Sequence, residues 1–308
     1  QHPSQRHSWH APGVGHGDRG RTRTRSLAGA PLEPATIQTW HDAVTRWWRE
    51  CDLRVRRCQR MYSRAFYERR QAAKEVAAEV VLDLLLPVLP PVRTAVDVGC
   101  GVGTWLAALA SRGVDVSGFD GPWVDVKHLR IDRARFRSVD LAQPLPLVKR
   151  CDLAICLEVA EHLPEKVAPT VVENLTRLSN IILFSAAIPG QGGTGHANGQ
   201  WPDYWAAHFE ARGYALADVV RAPIWDDERV PYWYRQNTFV YVARGALDRV
   251  SPALRDAVEA GPRQPLRAVH PALFDEKRHG HVGGLVHRLG QVGRGLAQTL
   301  AAHLPLAT

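Results

Sequence analysis

The stretch LEVAEHLP (157–164) places Glu158, Glu161 and His162 within five residues. On an α-helix, positions i, i+3 and i+4 are neighbours, so this spacing predicts one shared face. Two carboxylates and an imidazole there could move a proton or hold a divalent ion. The same residues could also simply favour a helix N-terminus. A second imidazole, His196, lies in the glycine-rich run GQGGTGHANGQ (190–200). Such a run can fold over a ligand. Glu158, Glu161, His162 and His196 are therefore candidate metal ligands for magnesium, manganese or a similar ion. Glu161, His162 and His196 are also candidate catalytic residues.

A second constellation precedes this one. VDVGCGVGTW (96–105) sets Gly99, Gly101 and Gly103 directly after an apolar run and before a helical pattern. Glycines at such a turn let a ligand approach the backbone and the helix N-terminus. Asp120 ends the next apolar run, VDVSGFD, about 20 residues on, where an acidic side chain can accept hydrogen bonds from ribose hydroxyls. Position 104 is Thr, so the GxGxxG spacing of nicotinamide-binding folds is not met.

The elements that must hold these residues alternate. Strands are predicted at 94–98, 114–120, within RFRSVDL, at 151–158 and at 180–187. Helices are predicted over TWLAALASR, EKVAPTVVENLTRL and WPDYWAAHFEARG, the last closed by Gly213. YALADVV and NTFVYVAR read as two final strands joined by a polar aromatic loop, RAPIWDDERVPYWYRQ. This alternation predicts an α/β fold with a mainly parallel sheet covered on both faces. Residues 1–35 read as a disordered basic tail, 36–90 as N-terminal helices (36–60 and 62–86), 91–245 as the main domain and 246–308 as a partly helical extension. Leu285, Leu289, Val292, Leu296, Leu300 and Leu304 keep helical spacing among glycines that weaken it.

The formal charge of +8 is unevenly spread. Residues 1–70 hold 14 Arg against 6 acidic residues, whereas 71–308 balance 25 against 25. A neutral working domain argues against a nucleic-acid partner. Cys51, Cys58, Cys100, Cys151 and Cys156 lack CxxC spacing, which excludes a zinc ribbon or disulfide framework and fits a reducing cytoplasm. No run of about 18 apolar residues predicts a membrane span, and the N-terminus lacks a signal-peptide core.

On these motifs the chain resembles class I S-adenosylmethionine-dependent methyltransferases over about 60–245. DVGCGVGTWL is similar to their first motif, GFD to the second, VDL (139–141) to the adenine-side motif and CDLAICLEVAEHL to the fourth. The resemblance implies a Rossmann-like seven-stranded sheet of order 3-2-1-4-5-7-6 with the seventh strand antiparallel. It implies S-adenosylmethionine as cofactor, held by Asp97, Gly99, Cys100, Gly101, Gly103, Thr104 and Trp105. Asp120 would hold the ribose, Asp140 and Leu141 the adenine, and Leu157 and Glu158 the region near the sulfonium. The later runs FSAAIPGQGGTGHANGQWPDYW and IWDDERVPYWYRQN resemble a bacterial group tied to polysaccharide or natural-product biosynthesis. That group reads HVNEQW where this chain has HANGQW, departing at Ala197 and Gly199.

ExxEH also resembles two metal-assisted groups, the ubiquinone-biosynthesis O-methyltransferases and the small-RNA 2′-O-methyltransferases. The expected function is methyl transfer, at oxygen, to a small-molecule or saccharide acceptor. A metal-assisted RNA 2′-O-methyltransferase and a catalytically weak cofactor-binding scaffold are the alternatives. Trp225, Tyr232, Trp233, Tyr234 and Arg235 are candidate walls of the acceptor pocket. Tyr62 and Tyr67 are candidates for a lid over the cofactor.

Overall fold

The computed structural model describes residues 64–278 except 147, 148 and 263, with side chains from Gln71 onward. The basic tail, the helix expected over 36–60, Tyr62 and the leucine-spaced stretch from Leu285 lie outside the described residues.

Helix α1 spans Arg64–Leu85. Ala77, Ala78, Val81, Leu82 and Leu85 recur at helical spacing and are fully buried, which is the apolar stripe that docks such a helix. The helix gives way to a 3-10 turn, Leu86–Val88, at Pro87, whose ring carries no backbone donor. Strands β1 (Thr94–Val98), β2 (Asp115–Asp120), β4 (Leu153–Leu157) and β5 (Ile181–Ser185) are short apolar runs. They need no polar face because helices cover both sides. Side chains alternate strictly: Leu153, Ile155 and Leu157 feed the core that holds α1, while Ala154 and Cys156 feed the opposite one. Helix α2 (Thr104–Ala110) joins the first core, and α3 (Ala168–Leu178) with α4 (Pro202–Glu210) the second.

With β3 (Phe136–Ser138), β6 (Tyr214–Ala217) and β7 (Phe239–Ala243), the sheet runs β3-β2-β1-β4-β5-β7-β6. β7 pairs antiparallel with both β5 and β6, and the remaining pairs are parallel. β1 has β2 on one side and β4 on the other, so the chain reverses its winding there. The carboxyl ends of β1, β2, β4 and β5 then face a common crevice, where ligands bind in such sheets.

Three expectations need correction. The stretch after β6 is not one loop. It contains two short helices, α5 (Arg221–Ile224) and α6 (Tyr232–Asn237), the latter started by Pro231. Helices of four and six residues are too short to show an apolar period. Glu158, Glu161 and His162 do not share an α-helical face. The chain leaves β4 through Glu158 at φ +55° and then makes one 3-10 turn, Ala160–His162. The strands are also shorter than their apolar runs, because flanking residues such as Cys151 and Glu158 bond outside the ladder.

Beyond β7, α7 (Pro252–Ala260) is capped by Ser251, whose hydroxyl accepts from Leu254 N at 3.2 Å and donates to the Val88 carbonyl. The segment from Gln264 to Arg278 then returns across the sheet edge. Its anchor is Arg221, fully buried, whose guanidinium bonds the Asp218 carboxylate at 2.5 Å and the carbonyls of Gln264 and Pro265 at 3.2 Å. Arg267 adds a bidentate pair with Asp203, and the His270 backbone N–H donates to Gln236 Oε1 at 2.7 Å. Among the described residues, no helix is long and apolar enough to cross a membrane.

Candidate active site

The loop after β1 wraps over the end of β2. Gly99 N and Cys100 N both donate to the Phe119 carbonyl, at 2.7 and 3.2 Å. Gly99 has φ +89°, and a Cβ there would stand 2.3 Å from Val159 Cγ2. Glycine is required on both counts. The Asp120 carboxylate is clamped by two amides, Gly101 N on Oδ2 and Gly121 N on Oδ1, each at 2.6 Å. Each carboxylate oxygen has two acceptor sites, so Asp120 retains capacity for a hydroxyl donor. Thr104 opens α2, and its hydroxyl accepts from Gln71 Nε2 of α1 at 2.9 Å. Trp105 is buried, edge-on to Tyr234 with ring centroids 5.4 Å apart. Cys100 is a buried thiol whose Sγ would be 2.6 Å from any Cβ at Gly118. Leu141 and Leu157 are buried, and Asp140 caps its own turn through Ala142 N at 3.0 Å.

Beneath the loop lies Asp97, 3% exposed. Burial, reinforced by the Asp120 charge, raises its carboxyl from 3.8 to about 8. Burial also raises Asp120, against the pull of the Gly101 and Gly121 amides. Lys74 of α1 is the counter-charge, acting favourably on Asp97, Asp120, Glu158 and Glu161 alike. Nothing in the sequence reading singled it out. Its position, one helical turn after Gln71, is the signal that places it on the same face.

A measurable linkage follows. The folded chain keeps a proton on Asp97 up to about pH 8, whereas the unfolded carboxyl loses it near 3.8. Between those values the folded state binds more protons, so this group's contribution to stability falls as pH rises. A cation seated above Asp97 favours the ionised form and expels that proton. Affinity for a cationic donor is therefore expected to rise from about pH 6 to pH 8. Calorimetry in two buffers of different ionisation enthalpy should register proton release. Flat affinity with no proton release contradicts it.

Glu158 is the one non-glycine residue with positive φ among the described residues. Its backbone N–H bonds both the carbonyl and hydroxyl of Ser185, at 3.0 and 3.1 Å. Its carboxylate accepts from Gln191 Nε2 and Asn237 Nδ2, each at 3.1 Å. Asn237 also donates to Gln191 Oε1 at 2.9 Å, and Gln236 Nε2 to Asn237 Oδ1 at 2.8 Å. Burial raises Glu158 to about 7, and the Asn237 amide opposes that rise. Gln191, Gln236 and Asn237 are all buried; sequence reasoning missed this amide network.

Glu161 is 0% exposed, and neither carboxylate oxygen has a hydrogen-bond partner of good geometry. Its Oε1 lies 3.9 Å from both His162 Nε2 and His196 Nε2. The two imidazoles meet edge to face, centroids 4.8 Å apart. Burial pushes Glu161 well above the ordinary carboxylate range, and Glu158 adds to it. The loop that brings His196 here is registered on the same residue: Ala197 N and Asn198 N donate to the Glu161 carbonyl at 2.7 and 2.9 Å. Glu161, His162 and His196 thus form a group whose donor atoms lie within 4.8 Å of one another. Glu158, expected as a fourth ligand, is not in that group, because its oxygens are taken by Gln191 and Asn237.

Of the aromatic residues, Tyr234 and Arg235 are buried, with Arg235 Nη1 on the Trp225 carbonyl at 3.0 Å. Trp225, Tyr232 and Trp233 are partly exposed. Tyr67 falls within α1.

A sheet of this order, with a glycine loop at the end of β1 and an acid at the end of β2, defines a class I S-adenosylmethionine-dependent methyltransferase. The family model described as a methyltransferase domain matches residues 40–219, and the chain belongs to that family. Solved structures show the same fold at low identity. DesVI of Streptomyces venezuelae is 13% identical, with 58% of this chain and 95% of that chain covered at a TM-score of 0.45. The amino pentose methyltransferase CalS10 of Micromonospora echinaspora, involved in calicheamicin biosynthesis, is 16% identical over the same shares, also at 0.45. Magnesium protoporphyrin IX methyltransferase of Synechocystis PCC 6803 is 22% identical, with 56% of this chain and 81% of that chain covered at 0.38. No curated protein matches the chain.

The residues present fit the adenosyl donor. Glycines at positive φ keep the loop free of side chains, Asp120 keeps acceptor capacity, and buried carboxylates face a cationic ligand.

Proposed function

We propose that this methyltransferase acts on a hydroxyl of a small-molecule or saccharide acceptor, and that Glu161, His162 and His196 activate that hydroxyl. The observation that carries the reading is Glu161. It is a fully buried carboxylate with both oxygens unpaired, flanked by two imidazoles at the carboxyl end of β4.

Physical chemistry connects that geometry to methylation at oxygen. S-adenosylmethionine, when bound, supplies an electrophilic methyl carbon. Transfer is an in-line displacement, so alignment contributes much of the rate. Asp120 and the glycine loop orient one partner, and the 189–200 loop closes on the other. A neutral hydroxyl attacks poorly and must lose its proton as the new C–O bond forms. An imidazole of ordinary pKa near 6.5 can take that proton at neutral pH. Glu161, 3.9 Å away, then stabilises the resulting imidazolium. The amide network holds Glu158 apart from this exchange by engaging both its oxygens. A neutral, aromatic-bearing surface over 225–234 suits a sugar or ring better than a polyanion.

The test is product chemistry. The full chain is incubated with S-adenosylmethionine and a panel of nucleotide sugars, simple glycosides and phenols, and products are read by mass spectrometry and NMR. Methyl ethers are expected. Exclusive methylation at nitrogen, or at RNA 2′-oxygens, overturns the reading.

A further inference from the structure

Building on the proposed role of this cluster, we propose that Glu161, His162 and His196 hold a first-row transition ion of the zinc or manganese class, in preference to magnesium. Three observations converge. The donor atoms come from three side chains within 4.8 Å of one another. The carboxylate has no hydrogen-bond partner, which is expensive for a buried acceptor unless a ligand completes it. Gly193 leaves one nitrogen uncovered, since a Cβ there would stand 2.3 Å from His196 Nε2.

The donor set decides the class of ion. Two imidazole nitrogens and one carboxylate oxygen are the three-ligand pattern of sites that keep a further position open. Magnesium prefers near-octahedral oxygen ligands and keeps its waters. Imidazole favours the later first-row ions. Metal–ligand bonds of about 2.0–2.1 Å place tetrahedral donors roughly 3.3 Å apart. The two carboxylate–imidazole distances are 3.9 Å. Small rotations of the imidazoles, 25% and 19% exposed at His162 and His196, close that gap. The Glu161 carbonyl already fixes the His196 loop through Ala197 and Asn198. A bound ion would supply Lewis acidity to an acceptor hydroxyl at the open position.

The experiment uses the full chain, stripped with a chelator and dialysed. Zinc, manganese and magnesium are titrated calorimetrically, with manganese binding read independently by electron paramagnetic resonance. One equivalent of zinc or manganese is expected to bind at least about tenfold more tightly than magnesium. Glu161→Ala and His196→Ala are each expected to weaken that binding by roughly 10- to 100-fold or more. Their affinity for S-adenosylhomocysteine should stay unchanged, which shows that they fold. The chain carries 14 His, so the comparison with the variants decides, not the parent isotherm alone. No stoichiometric binding, equal binding in the variants, or preference for magnesium overturns the proposal. If ions fail to bind while His162→Ala still loses turnover, the metal site falls and proton transfer stands. If ions bind but His162→Ala keeps full turnover, the metal site stands and the hydroxyl-activation reading falls.

Discussion

His162→Ala is expected to lose turnover by about 10²- to 10⁴-fold, the usual range for removing a positioned proton acceptor. Glu161→Ala should fall in the same range, because it removes the charge that supports both imidazoles. The effect should sit in kcat and not in donor binding. Asp120 and the glycine loop hang from β1 and β2, whereas Glu161 and His162 hang from the turn after β4. Their bonds do not overlap, so S-adenosylhomocysteine affinity measured by calorimetry should match the parent. Glu161→Ala also removes a buried, unpaired carboxylate, so the variant should unfold at the same or a higher temperature. A turnover loss with a raised melting temperature marks a group kept for function at a cost in stability. Unchanged kcat in both variants removes the cluster from the chemistry.

Arg221→Met is expected to cost about 3–5 kcal/mol of folding stability, the range for breaking a buried ion pair by deleting one partner. Asp218 would be left buried at 5% exposure with its carboxylate unpaired. The Gln264 and Pro265 carbonyls would lose their donor, and Phe239 the guanidinium stacked 4.3 Å from its ring. Urea unfolding measures the loss. Asp218→Asn combined with Arg221→Met should recover much of it, because an amide is far cheaper to bury than a charge. If Arg221→Met alone costs under about 1 kcal/mol, as a surface pair would, the 264–278 segment is not anchored this way.

Much of this was readable because the chemistry of the central strands is one-sided. TAVDV, SGFD, LAICL and IILFS are buried on both faces, so their apolar runs stand out from the chain around them. Gly99, Gly101 and Asp120 were readable because a turn and an acid at fixed spacing leave a local trace. The network around Glu158 left none. Gln191 and Asn237 are 33 and 79 residues from Glu158, and they meet only because β7 inserts between β5 and β6. The spacing of Glu158, Glu161 and His162 suited an α-helix, yet the strand ends at Leu157 and a left-handed residue redirects the chain. Local spacing could not reveal that one carboxylate turns to the amides and the other to the imidazoles.

The contact between Gly99 and Val159 ties the donor loop to the turn carrying the catalytic cluster. The two motifs lie sixty residues apart in the chain but share one packing space, so they are not free to diverge separately. A bulkier residue at 159 presses on the loop, and any side chain at 99 must displace Val159 as well as adopt φ +89°. Recombination between distant homologues with a crossover between these positions would carry a hidden incompatibility. In evolutionary terms the donor half and the acceptor half of this enzyme are epistatic, and they are inherited as one unit.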